Sequence, residues 1–171
     1  MADRMRKAPD FELDRTDLAL LDELQSDCKR SLAELGERVG LSAPAVHERV
    51  RRLEAAQLIR GYHAHIDPRK VSLDIGAFIG VGIDKPRHIE AFEKVIAAIP
   101  DVLECHHVTG RHTLVLKVRT ENTETLQRLI STLRDLPGVE RTETMIVLET
   151  QFERTELPIT VPDTQARPRK R

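Results

Sequence analysis

The stretch GLSAPAVHERVRRLE, residues 40–54, sets Arg49, Arg51 and Arg52 within one turn of one another, behind Ser42, Ala43, Pro44 and His47. Guanidinium groups pair with phosphate oxygens, and imidazole is able to hydrogen-bond a base edge. Small residues at a helix start let the backbone approach closely, where its free N–H groups hold an anion. At 100° per residue Val46, Val50 and Leu53 fall on one narrow stripe, which must pack against neighbours. The opposite face then carries Pro44, His47, Glu48 and Arg51, with Arg52 on the flank. The pattern assigns a base contact to His47 and phosphates to Arg51 and Arg52. Arg49 lies nearer the stripe, within reach of a phosphate or of an acidic residue inside the domain. A solvated face is the usual fate of a charge run, but capping, turn and charge agree here on one duplex-binding module.

A second group, Cys105, His106, His107 and His112, with His63 and His65 farther off, has the donor types of a zinc or copper site. The strand geometry speaks against convergence. Adjacent His106 and His107 point to opposite faces, and Cys105 shares its face with His107. No metal and no cofactor are therefore expected; a pH-sensitive interface is the more ordinary role for these imidazoles. No serine or cysteine has a base at readable spacing, so an enzyme is not expected. Gly76, Gly80 and Gly82 lie in an apolar strand and open no helix, which excludes a phosphate loop.

The elements that must position these groups follow from hydrophobic period and punctuation. Asp14, with Asp17 three residues on, starts a helix over 14–26 with Leu18, Leu21 and Leu24 at helical spacing. Ser31 and Glu34 form a capping box for a second helix that stops at Gly40, and Ser31 joins Ser42 as a candidate DNA-binding residue. Ser42 caps the third helix, whose Pro44 sits where a missing N–H costs nothing. Three short helices with the turn LGERVGLSAP make a helix-turn-helix. LIRGYHAHI alternates as a strand, a wing or exit arm, and residues 67–74 read as a linker.

Beyond the linker the period changes. AFIGVGI (77–83) is a buried strand, followed by a helix with Ile89, Phe92, Ile96 and Ile99 on one face. VLECHHV and TLVLKV are strands around Thr109 and Gly110. A helix presents Leu126, Leu129, Ile130 and Leu133, and ERTETMIVLETQF is the closing strand. The parallel phrases AIPDVLE and DLPGVER mark two βαβ halves, hence a ferredoxin-like sandwich with one bare sheet face. The expected fold is α+β: a winged helix-turn-helix domain over 13–66 and a ferredoxin-like βαββαβ domain over 75–152. Disordered ends are expected over 1–12 and 153–171, the latter a basic tail able to serve as an auxiliary phosphate arm. A second copy covering the bare face predicts a homodimer.

The totals permit this. A chain of 171 residues can bury two small cores. With 27 basic and 28 acidic residues the formal charge is -1, so attraction to a nucleic acid must come from local arrangement. Two distant cysteines offer no disulfide framework and suit a reducing cytoplasm. No segment approaches the ~20 apolar residues of a membrane span. Aromatic content of 3% with no tryptophan argues against stacking on single strands.

The segments LDRTDLALLDELQSD, SLAELGERVGLSAPAVHERVRRLEAAQLIRGYHAHIDP, ECHHVTG and LPGVERTETMIVLE together resemble the feast/famine (Lrp/AsnC) regulators, over nearly all of residues 13–152. That resemblance implies a transcription factor with an N-terminal DNA-binding domain and a C-terminal RAM-type domain that senses a small molecule and forms dimers, often octamers. It implies double-stranded DNA with an inverted-repeat site as partner and an amino acid bound between dimers, beside a G-D-F-D-Y loop after V-T-G. Here Arg111, His112, Thr113 and Leu114 follow V-T-G, so the loop lacks its carboxylates. The resemblance places the effector among His106, Thr109, Gly110, Arg111, His112, Thr113, Thr142 and Thr144, and the cations favour an amino acid or other carboxylate. Two alternatives share the fold: an architectural protein wrapping DNA without an effector, and a sirohaem-decarboxylase-like enzyme using histidine and arginine.

Overall fold

The computed structural model describes residues 12–162, in two compact units, one of residues 12–64 with 154–162 and the other of residues 65–153. The first is helical: α1 (Arg15–Ser26), α2 (Leu32–Val39) and α3 (Ala43–Ala55). Asp14 and Ser31 both close capping boxes, with Asp17 and Glu34 respectively, which satisfies donors that a helix start otherwise leaves open. Leu20, Leu35 and Val46 are the buried centre, with Leu24, Val39, Leu41 and Val50 packed around them. Each such side chain contributes about 1.5–3 kcal/mol by leaving water. Leu20 belongs to this centre although the expected stripe of α1 ran through Leu18, Leu21 and Leu24. Its register is set by Leu20 and Leu24, four apart.

The turn between α2 and α3 depends on two glycines. Gly40 has φ +72° at the end of α2 and donates its N–H to the Gly36 carbonyl, to which Leu41 N also donates at 2.9 Å. A Cβ on Gly36 would lie 2.4 Å from the Leu41 carbonyl oxygen. A left-handed residue and a backbone-on-backbone approach are both situations that glycine meets without strain.

Two expectations are corrected here, for residues 58–66 and for residues 154–162. The segment 58–66, expected as an exit strand or wing, is in no ladder; a single extended arm has no neighbouring strand in one copy of the chain. The linker holds a short 3-10 turn, Pro68–Val71, started by Asp67, whose side chain accepts from Arg69 N. Residues 154–162, expected as disordered, pack with the helical unit: Gln25 Nε2 donates to the Leu157 carbonyl at 3.1 Å and Leu157 N donates to Gln25 Oε1 at 2.7 Å. An amide side chain thus imitates a neighbouring strand. The basic end of the tail and the first eleven residues lie outside the described residues.

In the second unit β1 (Ile75–Ile83), α4 (Pro86–Ile96), β2 (Val102–His107), β3 (Leu114–Thr120), α5 (Thr123–Arg134) and β4 (Val139–Ile146) succeed one another. The four strands form one sheet in the order β2-β3-β1-β4, every neighbour antiparallel. This is the βαββαβ sandwich. Ala77, Ile79, Val81, Leu114, Leu116 and Val118 point to α4 and α5 and bury against Phe92, Ile96, Leu126, Leu129 and Leu133. The closing strand ends at Ile146, opposite Ala77 and short of the expected Phe152, with one further bond from Val147 N to the Gly76 carbonyl at 2.8 Å near the start of β1.

Candidate nucleic-acid interface and the β2–β3 loop

On α3, Val46 and Leu53 are fully buried and Val50 is partly so, as the stripe requires. Ser42, Pro44, His47, Glu48 and Arg51 are exposed, with Ala43 half-buried beside them. Pro44, His47 and Arg51 occupy one face by spacing. Ser42 stands at the N-cap position but its side chain makes no cap bond, so its hydroxyl is not spent on the first-turn N–H groups. Ser31 spends both its hydroxyl and its backbone N–H on Glu34, so the capping box engages the groups it would offer a duplex.

The arginines divide. Arg49 Nη1 donates to Asp14 Oδ2 at 2.6 Å and to Asp17 Oδ1 at 2.8 Å. Arg52 Nη2 donates to Asp17 Oδ2 at 2.7 Å. Asp17 is wholly buried, while Arg49 and Arg52 are 28% and 50% exposed. The same Asp17 oxygen also accepts from Asp14 N at 3.2 Å. Burial pushes the Asp14 carboxyl up, but the Asp17 backbone N–H and the Arg49 guanidinium outweigh it and hold the group below the usual carboxylate range. Arg52, expected on a phosphate, is thus held inside the domain beside Arg49. The spacing R-x-x-R places the two guanidinium groups on one flank, where a single carboxylate can serve both; the acceptor's identity was not readable. Arg51 has no hydrogen bond or ion pair among the described residues.

The residues around the β2–β3 loop do not form one cluster. Thr142 and Thr144 lie opposite Val81 and Ile79, hence on the helix-facing side, and Thr142 Oγ1 accepts from Arg134 Nε at 2.8 Å. His106 lies opposite Val115 on the other, open side, where Nε2 meets Glu104 Oε2 at 2.9 Å; that imidazole outweighs desolvation in lowering the Glu104 carboxyl. Thr113 is consumed structurally: its N–H donates to the Val81 carbonyl at 2.9 Å and its Oγ1 accepts from Ile83 N at 3.1 Å. Gly110, at φ +109°, makes the bend, and Thr109 precedes it.

Arg111 and His112 do come together, with partners that sequence reasoning missed. Arg111 pairs through Nη2 with Glu143 of β4, and its Nε donates to His112 Nε2 at 3.1 Å. Arg141 donates to the Arg111 carbonyl. The His112 ring is 10% exposed and lies flat on Gly80, where a Cβ would come within 2.7 Å of it. Glu143 Oε2 is 3.4 Å from His112 Nε2. A carboxylate from β4 thus stands beside a loop that has none of its own. A cleft of about 410 Å³ opens elsewhere on the open face, lined by Gly76, Phe78, Lys117, Arg119, Val147 and Phe152 among others; none of the expected effector residues lines it.

Among the described residues no three histidine, cysteine or acidic side chains are placed to hold a metal ion. His107 Nε2 meets Glu93 Oε1 at 2.7 Å on the helix-facing side, away from His106.

A three-helix module with an exposed recognition face, followed by a ferredoxin-like domain, defines a class of two-domain DNA-binding regulators. Family models sharpen this: residues 13–54 match the AsnC-type helix-turn-helix domain and residues 76–157 the Lrp/AsnC ligand binding domain. The HTH-type transcriptional regulator FL11 of Pyrococcus horikoshii is 37% identical over 147 residues, 86% of this chain and 97% of its own. The leucine-responsive regulatory protein of Escherichia coli K12 is 37% identical over 147 residues, 84% of this chain and 90% of its own. A Neisseria meningitidis transcriptional regulator solved with L-methionine superposes with a TM-score of 0.81 at 32% identity, covering 86% of this chain and 97% of that one. The chain belongs to the Lrp/AsnC family of transcriptional regulators.

Proposed function

We propose that this regulator binds an inverted-repeat duplex as a homodimer and that an amino acid or other carboxylate, bound at the β2–β3 loop, shifts its assembly and with it its DNA affinity. The observation carrying the DNA reading is the face Ser42, Pro44, His47, Arg51, exposed and held rigidly by a stripe buried on α1 and α2. The helix start meets base edges, His47 reads one of them, and Arg51 takes a phosphate. Two-fold symmetry sets half-sites about 10 bp apart or a multiple of that. Selection of bound duplexes from a random pool at defined salt should return such repeats; enrichment of no sequence over the starting pool would refute specific binding and leave architectural wrapping.

The dimer is supported by the open sheet face, where Phe78 is 39% exposed on a strand whose Ala77, Ile79 and Val81 are buried, and Met145, opposite it on β4, is 45% exposed. Association of dimers into octamers is part of the same reading. For the effector, Arg111 and Glu143 offer opposite charges side by side, the complement of a zwitterion: the guanidinium for a carboxylate, the carboxylate for an ammonium. Thr142 and Thr144, on the other side of the sheet, are left out. A relative bound to L-methionine supports the ligand class. Calorimetric titration with a panel of amino acids and dicarboxylates tests it, with loss of binding expected in Arg111→Gln. A ligand acts only as far as it prefers one assembly, so sedimentation profiles must change with the ligand that changes DNA binding. Binding to chromosomal DNA in the cytoplasm, rather than catalysis, is the role this describes. No helix among the described residues is long and apolar enough to cross a membrane.

A further inference from the structure

Asp17 is the only fully buried charged side chain among the described residues, and it lies under the DNA-binding helix rather than under an effector. Its two oxygens accept from Arg49 at 2.8 Å, from Arg52 at 2.7 Å and from the Asp14 backbone at 3.2 Å. Asp14 adds a second carboxylate on Arg49 at 2.6 Å. A carboxylate holding two guanidinium groups reproduces what a DNA phosphate would offer them, from inside the domain. Two of the three arginines of the recognition helix are thereby neutralised by α1, leaving Arg51 as the one whose charge faces outward without a partner among the described residues.

We propose that Asp17 acts as an internal phosphate substitute: it positions α3 and withholds Arg49 and Arg52 from the duplex, which keeps sequence-independent binding weak and lets base contacts dominate. The physical reason is that phosphate contacts raise affinity for every sequence alike, and specificity is the ratio between specific and non-specific binding. One cation per helix supplies little non-specific attraction; three would supply much more. Asp17 touches no base, so it is a positioning residue, acting through the arginines it holds. The inference rests on the assignment of Arg51 to a phosphate.

The test measures binding of the full chain to a mixed-sequence duplex over a series of salt concentrations. Each cation that takes a phosphate contributes about 0.9 to the slope of log affinity against log salt. Arg51→Gln should lower the slope by about that amount per bound helix, and Arg52→Gln, on a half-exposed side chain, should leave it unchanged. Asp17→Asn should steepen the slope, tighten mixed-sequence binding and reduce the ratio of selected-site to mixed-sequence affinity; a purely structural aspartate would weaken both without steepening anything. An Arg52→Gln variant that loses slope as Arg51→Gln does would overturn the proposal, and this comparison stands even where Asp17→Asn does not fold. So would a folded Asp17→Asn protein with the original slope. Failure of the unaltered chain to bind any duplex would instead strike the DNA reading itself.

Discussion

Tyr62 is the sole tyrosine of a chain without tryptophan, and its hydroxyl donates to Glu54 Oε1 at 2.9 Å. Burial of its phenol end, then the carboxylate beside it, pushes its pKa up to about 12. A raised folded value means that the neutral phenol is favoured by folding. The associated stability is fully present below pH 10 and is lost as pH rises through 10 towards 12. Ultraviolet titration should therefore show a single phenolate transition with its midpoint near 12; a midpoint at 10 would mean that the Glu54 contact does not form in solution. His47 makes a different kind of residue-scale prediction. Its exposed ring is assigned to a base edge, so His47→Ala should cost about 1–3 kcal/mol of discrimination at one base pair and leave the salt slope alone. Gly80→Ala places a methyl group into the His112 ring and should destabilise by about 1–3 kcal/mol in thermal unfolding, as overpacking does.

At the scale of elements, the two serines that precede α2 and α3 look equivalent as letters and are not equivalent as caps. Ser31 Oγ accepts from Glu34 N at 3.2 Å while Glu34 Oε2 accepts from Ser31 N at 2.7 Å. Ser31→Ala should thus cost about 1 kcal/mol of stability. Ser42 makes no such bond, and Ser42→Ala should change stability by less than about 0.5 kcal/mol while weakening duplex binding. Chemical denaturation of both variants separates these outcomes. The reason for the difference is positional: α2 must be anchored by its own first turn, whereas α3 is anchored along its length by the Val46, Val50, Leu53 stripe and by two arginines on Asp17. Helix α3 can leave its first turn without a side-chain cap because its neighbours hold it.

For the whole molecule, the sheet presents a core on one side and, on the other, Phe78, Val115 and Met145 among the charges of Glu104, Lys117, Arg141 and Glu143. Such a mixed face is suited to a partner that is its own complement, since a two-fold axis brings each charge opposite a different part of the same surface. Phe78→Lys should convert the proposed dimer to monomer by light scattering at micromolar concentration with the fold kept in far-ultraviolet circular dichroism. A dimer that survives that change would place the interface elsewhere. Loss of the dimer should also weaken binding to an inverted repeat far more than binding to a half-site, because the second recognition helix gains its affinity from being tethered to the first.

Local pattern determined much of this protein. The 3.6-residue period, the capping residues and Gly40 located α1 to α3, and the change of period beyond the linker located β1 to β4, because those signals belong to neighbouring residues and need no partner; the alternation of residues 58–66 did not yield a strand. The stripe Val46, Val50, Leu53 settled by itself which face of α3 is left to solvent. The tertiary structure decided pairings between residues far apart in the chain: Asp17 with Arg49 and Arg52, Arg111 with Glu143, His107 with Glu93, Gln25 with Leu157. It also put Thr142 and Thr144 behind the sheet, since the register of β4 on β1 chooses a face and a single strand read alone has two equal ones. Charge and polarity are legible one residue at a time, but a salt bridge or a shared face exists only once distant segments have met.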